Sequence, residues 1–571
     1  MRRIATILWT SFLVVQAHAQ IGSELAPREL EKGREGKLPF GEREAVIQEG
    51  VDESAVLMRR LGAIELNGGG EGARFHFDVT HVGRVRGQGL TVELDGLGEA
   101  LLSFLGRPLT ENGLDRLLET VLRYYEAHDR PVTDAFAPVQ NLKDGTLLLE
   151  IIEGRIGTLG IQSGDIFNDE LLAGAVKLDA GDPLLSSDLQ EHLDWFNRNP
   201  FRPAALYAAP GVGEGEADIV FAFAERRPWR VYAGYENSGA EAAGENRYLL
   251  GFNWGNAFGL DQGINYQFTT GESLEELSAH ALGWELPIHP WHHFVRLSGS
   301  FADLSTESRS AGMKVVSQGT SWQLGGAYGI QLRRWKDFKQ EVSFGAEFKS
   351  SDNFLVFGGG DAHPGSLVEV LQFRTDYRAS RQFKSGALEV QASLVGSPGG
   401  LSGRNEDEDF ARFRAGAESG YLYGRAQAIW AHRLPKGWSL RTRGQLQLAS
   451  GALLPTEQLA LGGHTTVRGY EEREFLGDHG YALSAEVRAP AIEVPIGAWL
   501  PTQVQLLGFL DHGTGWRDET GVGEKASKSF LSLGMGARVQ AGPALKIRGD
   551  MGVPLEEGGG VRAHLGVTVS F

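Results

Sequence analysis

The chain has 571 residues, too many for one compact domain, so its length requires either several globular units or one large barrel with attachments. It contains no cysteine, which excludes disulfide frameworks, thiolate metal sites and cysteine nucleophiles together. A formal net charge of −18 argues against a general nucleic-acid binder, because such proteins draw affinity from a surplus of Lys and Arg. Glycine supplies 78 residues without a collagen-like period or a low-complexity block, which suits many turns and closely approaching strands.

At the amino terminus, Arg2 and Arg3 precede an apolar run from Ile4 to Val15 and then Ala17-His18-Ala19. A positive region, a short apolar core and an Ala-x-Ala site predict a signal peptide over 1–19, cleaved after Ala19. Farther along, no apolar stretch reaches the ~18 residues a spanning helix needs. The mature chain is therefore either soluble or crosses a membrane as strands. Residues 20–74 read as a polar, Gly- and Glu-rich linker, with a marginal helical pattern from Arg43 to Leu61.

The following stretch resembles itself in two halves, 75–153 and 154–227. The first carries Gly106-Arg107-Pro108-Leu109-Thr110, then Leu114, Leu117, Leu118, Val121, Leu122 and Tyr125 at helical spacing, then Arg130-Pro131. The second carries Gly181-Asp182-Pro183-Leu184, then Leu189, Leu193 and Phe196, then Arg202-Pro203. Ser187 followed by Gln190 has the form of a capping box, so a helix is expected to begin there and end near Asn199-Pro200. Phe75 to Thr80, Leu147 to Ile152, Gly157 to Gln162 and Ala217 to Ala224 have strand-like composition. Each half then reads as a small α+β unit of one strand, two helices and two strands. Its open sheet edge can accept an extended peptide as an added strand.

From 228 to 571 the pattern changes to period two. Ala563, Leu565, Val567, Val569 and Phe571 share one face, and Arg562, His564, Gly566, Thr568 and Ser570 the other. Leu440, Thr442, Leu446 and Leu448 oppose Arg441, Arg443, Gln445 and Gln447 in the same way. The alternation recurs at Leu483, Ala485 and Val487 against Glu486 and Arg488, at Leu531 to Val539, and at Leu545 and Ile547 against Lys546, Arg548 and Asp550. Such a series predicts a transmembrane β-barrel, apolar toward lipid and polar toward a wet lumen, of about 16 antiparallel strands. Pro287-Ile288-His289-Pro290 and Leu434-Pro435-Lys436-Gly437 read as tight turns on one rim. Gly396 to Glu408, with the acidic run Asn405-Glu406-Asp407-Glu408, reads as a longer solvated loop on the other. No Gly-x-x-x-x-Gly-Lys-Ser/Thr loop is present, and His464 and His512 lack a recognisable nucleophile and base arrangement, so neither a nucleotide cofactor nor catalysis is expected.

These features resemble a known family. Two small modules ahead of such a barrel look like POTRA domains, and Leu193-Asp194-Trp195-Phe196-Asn197-Arg198-Asn199-Pro200-Phe201-Arg202 is similar to the second POTRA domain of two-partner secretion transporters. Gly462-Gly463-His464-Thr465-Thr466-Val467-Arg468-Gly469-Tyr470 resembles the family's Val-Arg-Gly-Tyr loop, and Phe509-Leu510-Asp511-His512-Gly513 its Phe-x-Asp-x-Gly strand motif. Phe571 matches the terminal aromatic by which such barrels are recognised for assembly. The resemblance is to the ShlB/FhaC/HecB type of transporter in the Omp85 superfamily.

It implies an outer-membrane translocator, not an enzyme, that takes a secreted partner protein from the periplasm and exports it through the barrel. It implies contact with outer-membrane lipid, lipopolysaccharide and the barrel assembly machinery, and neither a cofactor nor a metal. The loop arginine, here Arg468, is expected to fold into the lumen and pair with Asp511. Strand parity agrees, because Asp511 shares the face of Gln505 and opposes Val504, Leu506 and Leu510. Glu486, also on an inward face, is a second candidate partner. The family's plug helix has only Arg43 to Leu61 as a candidate here. An assembly factor of the same superfamily is the alternative function, with a passive porin or a barrel enzyme further behind.

Overall fold

The computed structural model describes residues 39, 55–68, 80–82, 85–239, 244–310, 313–352, 354–357, 361–363, 367–495, 501–521, 524–556 and 560–571. The expected signal peptide, residues 43–54 of the marginal helix and nearly all of the expected strand from Phe75 to Thr80 lie outside them. The chain divides into two compact units between Arg226 and Arg227.

The first unit opens with a five-stranded mixed sheet whose central strand, Ala63–Gly68, runs parallel to both Val85–Gln88 and Thr146–Glu153. Thr80–Val82 and Thr133–Phe136 form its edges. Helix Glu111–Ala127 turns Leu117, Val121 and Tyr125 onto the sheet at four-residue intervals, where they are buried against Ile64, Leu66, Leu147, Leu149 and Ile151. Its start is fixed by the Thr110 hydroxyl, which accepts the Gly113 N–H at 3.0 Å. The sheet corrects two expectations. The α+β unit begins ahead of residue 75, because the supposed linker supplies the central strand. The segment expected to end a helix at Leu61 instead contains strand Val56–Met58, paired with Leu109–Thr110. Ile64 and Leu66 give only two turns of alternation, too few to register as a strand without their neighbours.

Within the same unit a second module has strand Arg155–Gln162, helices Asp169–Ala173 and Ser186–Phe196, and strands Ala204–Pro210 and Glu216–Phe223. Glu216–Phe223 lies in the middle, parallel to the first strand and antiparallel to the other. The stretch from Leu193 to Arg202 is a folding device. Asn197 accepts the Ala204 N–H at 2.9 Å and donates to the carbonyls of Leu193 and Ala204, turning the chain from helix into strand. Arg202, 1% exposed, sits among the rings of Phe167, Phe196 and Phe223 and donates to the Phe196 carbonyl at 3.0 Å. The expected helix is present over Ser186–Phe196. Asp129 of the preceding module accepts both the Ser187 N–H, at 2.7 Å, and its hydroxyl. A carboxylate from the neighbouring module thus takes part in the helix start, which sequence spacing cannot show.

The second unit is a closed antiparallel barrel of 16 strands, sealed where Trp229–Glu236 pairs with Arg562–Ser570. Phe354–Phe357, Asp361–His363 and Ile492–Pro495 extend its wall locally. Leu446, Leu448, Leu510, Leu533, Met535 and Leu565 stand exposed on the outside, whereas Gln447, Asp511, Ser532 and His564 are buried inside, as period two requires. Closure satisfies every strand's backbone within the wall, a condition for crossing hydrocarbon. His289–Trp291 and Pro435–Gly437 make single-turn connections on one rim, where the sequence places tight turns. The acidic run is not a plain solvated loop. It opens helix Asp407–Phe413, and Asn405 is fully buried, donating to the Glu369 carbonyl at 2.8 Å.

Candidate functional site

Strands Ser439–Ala449 and His479–Arg488 are neighbours in the wall, and the 29 residues between them form a long loop. Its stem is a two-stranded ribbon, Leu459–Leu461 with Phe475–Gly477. Its tip carries Val467-Arg468-Gly469-Tyr470 against the inner wall.

Arg468 is 4% exposed and Asp511 is fully buried. The guanidinium meets Asp511 through two parallel bonds, Nε to Oδ2 and Nη2 to Oδ1, both 2.8 Å, while the Arg468 backbone N–H adds a third at 3.1 Å. Nη1 donates to Glu486 Oε1 at 2.7 Å and Nη2 to Ser484 Oγ at 3.1 Å, and Asp550 Oδ1 stands 3.5 Å from Nη1. Both faces of the fork are thereby used. The Phe509 ring lies 3.5 Å from Cζ, so the aromatic of the strand motif caps the same cation whose charge its aspartate balances. Glu486 is shared with Arg488 at 2.5 Å and Asp550 with Arg538 at 2.9 Å, leaving the cluster nearly neutral. A buried guanidinium bound this way is costly to orphan, because removing one partner strands an uncompensated charge worth about 3–5 kcal/mol.

The apolar members fix the tip's height above the wall. Val467 is fully buried with Leu461, Phe475, Ala482 and Phe530. Tyr470 packs edge-on to Phe530 at 4.9 Å and donates to the Leu531 carbonyl at 3.0 Å. Gly469 has φ +95° and lies flat on Gly552, where a Cβ would come 2.9 Å from the Gly552 carbonyl carbon. A Cβ on Gly513 would press Val467 at 3.2 Å. The structure thus brings Val467, Arg468, Gly469, Tyr470, Phe509, Asp511, Gly513 and Glu486 into one cluster. It places Phe571 elsewhere, 69% exposed on the outer wall at the closing seam.

Sequence reading missed Ser484, Asp550, Arg488 and Arg538 as partners, although parity had put Asp550, Arg488 and Arg538 on inward faces. Period two gives a face but no depth, so which inward charges meet needs the strand register. Glu457, at the loop's other arm, was also missed. It is 1% exposed and bridges Lys349 Nζ at 2.7 Å and Tyr423 Oη at 2.8 Å. His464 binds Glu472 at 2.7 Å through both its ring Nδ1 and its backbone N–H, whereas His512 packs on Tyr481, so the two histidines do not converge. Among the described residues no group of three His, Asp or Glu side chains is placed to hold a metal. Beside the loop lies a polar cavity of about 570 Å³, lined by Ser298, Ser300, Gln323, Arg374, Arg425 and Glu457 among others.

The family model described as haemolysin secretion/activation protein ShlB/FhaC/HecB matches residues 215–539, more than half of the chain and inclusive of both lumenal motifs. The chain belongs to the ShlB/FhaC/HecB family. This ShlB/FhaC/HecB member is 24% identical over 448 residues to the outer membrane transporter CdiB-2 of Burkholderia pseudomallei (strain 1026b), covering 73% of this chain and 70% of the relative. It is 23% identical over 467 residues to the hemolysin transporter protein ShlB of Serratia marcescens, covering 78% of each. Among solved structures it is similar to CdiB from Escherichia coli, with a TM-score of 0.72 at 18% identity, covering 92% of this chain and 93% of that one. As a ShlB/FhaC/HecB protein with this wall it is an outer-membrane β-barrel.

Proposed function

We propose that this chain is the outer-membrane translocator of a two-partner secretion system. Its two α+β modules act as POTRA domains that take hold of an unfolded partner polypeptide in the periplasm, by strand addition at an open sheet edge, and the barrel passes the partner outward. The observation that carries the reading is the lumenal loop. A wall of polar side chains encloses a conduit, and the loop across it is held by one arginine whose donors go to Asp511, Glu486 and Ser484. Such a clamp is a fixed element around which a passage can be organised.

The test is secretion of a co-expressed candidate cargo by Arg468→Ala, with the amount of folded barrel measured in the same cells. Export is expected to fall at least tenfold, about 1.4 kcal/mol in effective terms, while the barrel is still inserted. Full export at normal surface levels would remove the clamp from the mechanism. Deleting residues 55–226, which removes both modules whole, and comparing small-solute flux with cargo export separates a translocator from a porin, since only the former loses its function.

A further inference from the structure

The rim opposite the tight turns carries the long loops, which in outer-membrane barrels face the exterior. Three of them meet at one carboxylate. Asp478, at the end of the lumenal loop, is fully buried and accepts the Arg414 Nη1 at 2.6 Å and Nη2 at 2.8 Å, the Leu453 N–H at 2.9 Å, the Gln458 Nε2 at 3.0 Å and the Asp518 N–H at 3.0 Å. Arg414, 5% exposed, closes helix Asp407–Phe413 in the loop after strand Gly386–Pro398 and donates further to the carbonyls of Leu453 and Glu519. Asp518 and Glu519 belong to the loop after strand Pro501–Trp516. An apolar cluster underlies the pair: Phe410 of the helix is fully buried with Leu453, Leu454, Tyr421 and Tyr423.

We propose that Arg414 and Asp478 form an outer latch that ties three loops together and closes the long-loop mouth of the barrel to ions, separately from the Arg468 clamp. The two sites share no residue. The clamp fixes the tip of the lumenal loop to strands His479–Arg488 and Pro501–Trp516, whereas the latch fixes its base to the other loops. An exposed ion pair here would be worth little, but this one is sealed from water, so breaking it leaves either a stranded carboxylate or a stranded guanidinium under the cluster. The loops then gain more by parting and wetting the charge than by staying closed. The latch is a property of the pore and holds whether or not the chain exports a partner.

The full-length protein reconstituted in planar lipid bilayers reads this out directly as time spent in open, ion-conducting states. Arg414→Met is expected to raise open time about tenfold over wild type. Asp478→Asn, which keeps one acceptor oxygen but removes the charge and turns the other oxygen into an NH2 group facing donors, is likewise expected to raise it. The double variant Arg414→Met/Asp478→Asn is expected to fall below Arg414→Met alone, because no charge is then left unpaired, a reversal that mere loosening of a structural contact does not produce. Wild-type open time in Arg414→Met, in barrels that resist unfolding in detergent as wild type does, overturns the latch. If Arg414→Met fails to give a folded barrel, wild-type opening in Asp478→Asn overturns it equally.

Discussion

At Arg468 the chemistry demands arginine rather than positive charge. Lysine carries one compact ammonium on a flexible stem, so it cannot give Asp511 two parallel bonds while reaching Glu486 and lying on the Phe509 ring. Arg468→Lys is therefore expected to lose export almost as completely as Arg468→Ala, and secretion beyond half of wild type at equal barrel levels would show that charge alone suffices. A sharper probe of position is Gly552→Ala. Its methyl would lie 2.6 Å from the Gly469 nitrogen and 2.7 Å from the Arg468 carbonyl carbon, and both atoms are backbone, so the loop must lift away from the wall. That substitution removes no polar group, yet it should reduce export at least tenfold, about 1.4 kcal/mol. Unchanged export would mean that the tip need not lie flat. The family resemblance named Asp511 as the partner and strand parity pointed it inward, so this pair was legible from the sequence only through the two together. Gly552 was not, because a glycine that serves only to let another backbone approach leaves no mark in hydropathy.

Elements were readable in proportion to their length and regularity. Barrel strands such as Ser527–Ala541 and Arg562–Ser570 alternate over nine residues or more, and lipid on one side with water on the other keeps the contrast high. Strand Ala63–Gly68 has six residues between two parallel neighbours, and only Ile64 and Leu66, the two that are buried, mark it. The start of helix Ser186–Phe196 was readable to within one residue, but the acceptor of its Ser187 N–H was not, since that carboxylate lies 58 residues away. That contact has an energetic consequence. Asp129→Ala leaves the first-turn N–H of Ser187 without the Asp129 acceptor and removes the side-chain part of one link between the two modules, so the periplasmic unit should lose roughly 1–2 kcal/mol. Urea titration of the full-length protein, followed by fluorescence of Trp195 in that helix, would register the loss as an earlier transition. An unmoved midpoint would mean that the neighbouring carboxylate contributes nothing to the helix start.

For the whole molecule the decisive step is closure, because an open sheet cannot remain in hydrocarbon. The seam is short. Tyr232 to Glu236 pair with Ser570 back to Gly566, and the Phe571 backbone extends the ladder by two bonds with Val231, 2.8 and 3.2 Å long. These bonds are main-chain and any residue could make them, whereas the Phe571 ring stands 69% exposed on the outer wall and adds little to the finished seam. Two roles for the last residue can therefore be told apart. Phe571→Ala keeps the backbone bonds, so the completed barrel should unfold within about 0.5 kcal/mol of wild type. If the exposed ring instead serves recognition during assembly, the same variant should yield far fewer folded barrels in the outer membrane. Deleting the residue removes bonds and ring together, and should lower both quantities. The separation is read by scoring folded barrel per cell beside the unfolding temperature of the purified protein. A variant with normal yield would leave Phe571 a seam residue only, and its aromatic ring no more than one lipid-facing side chain among many.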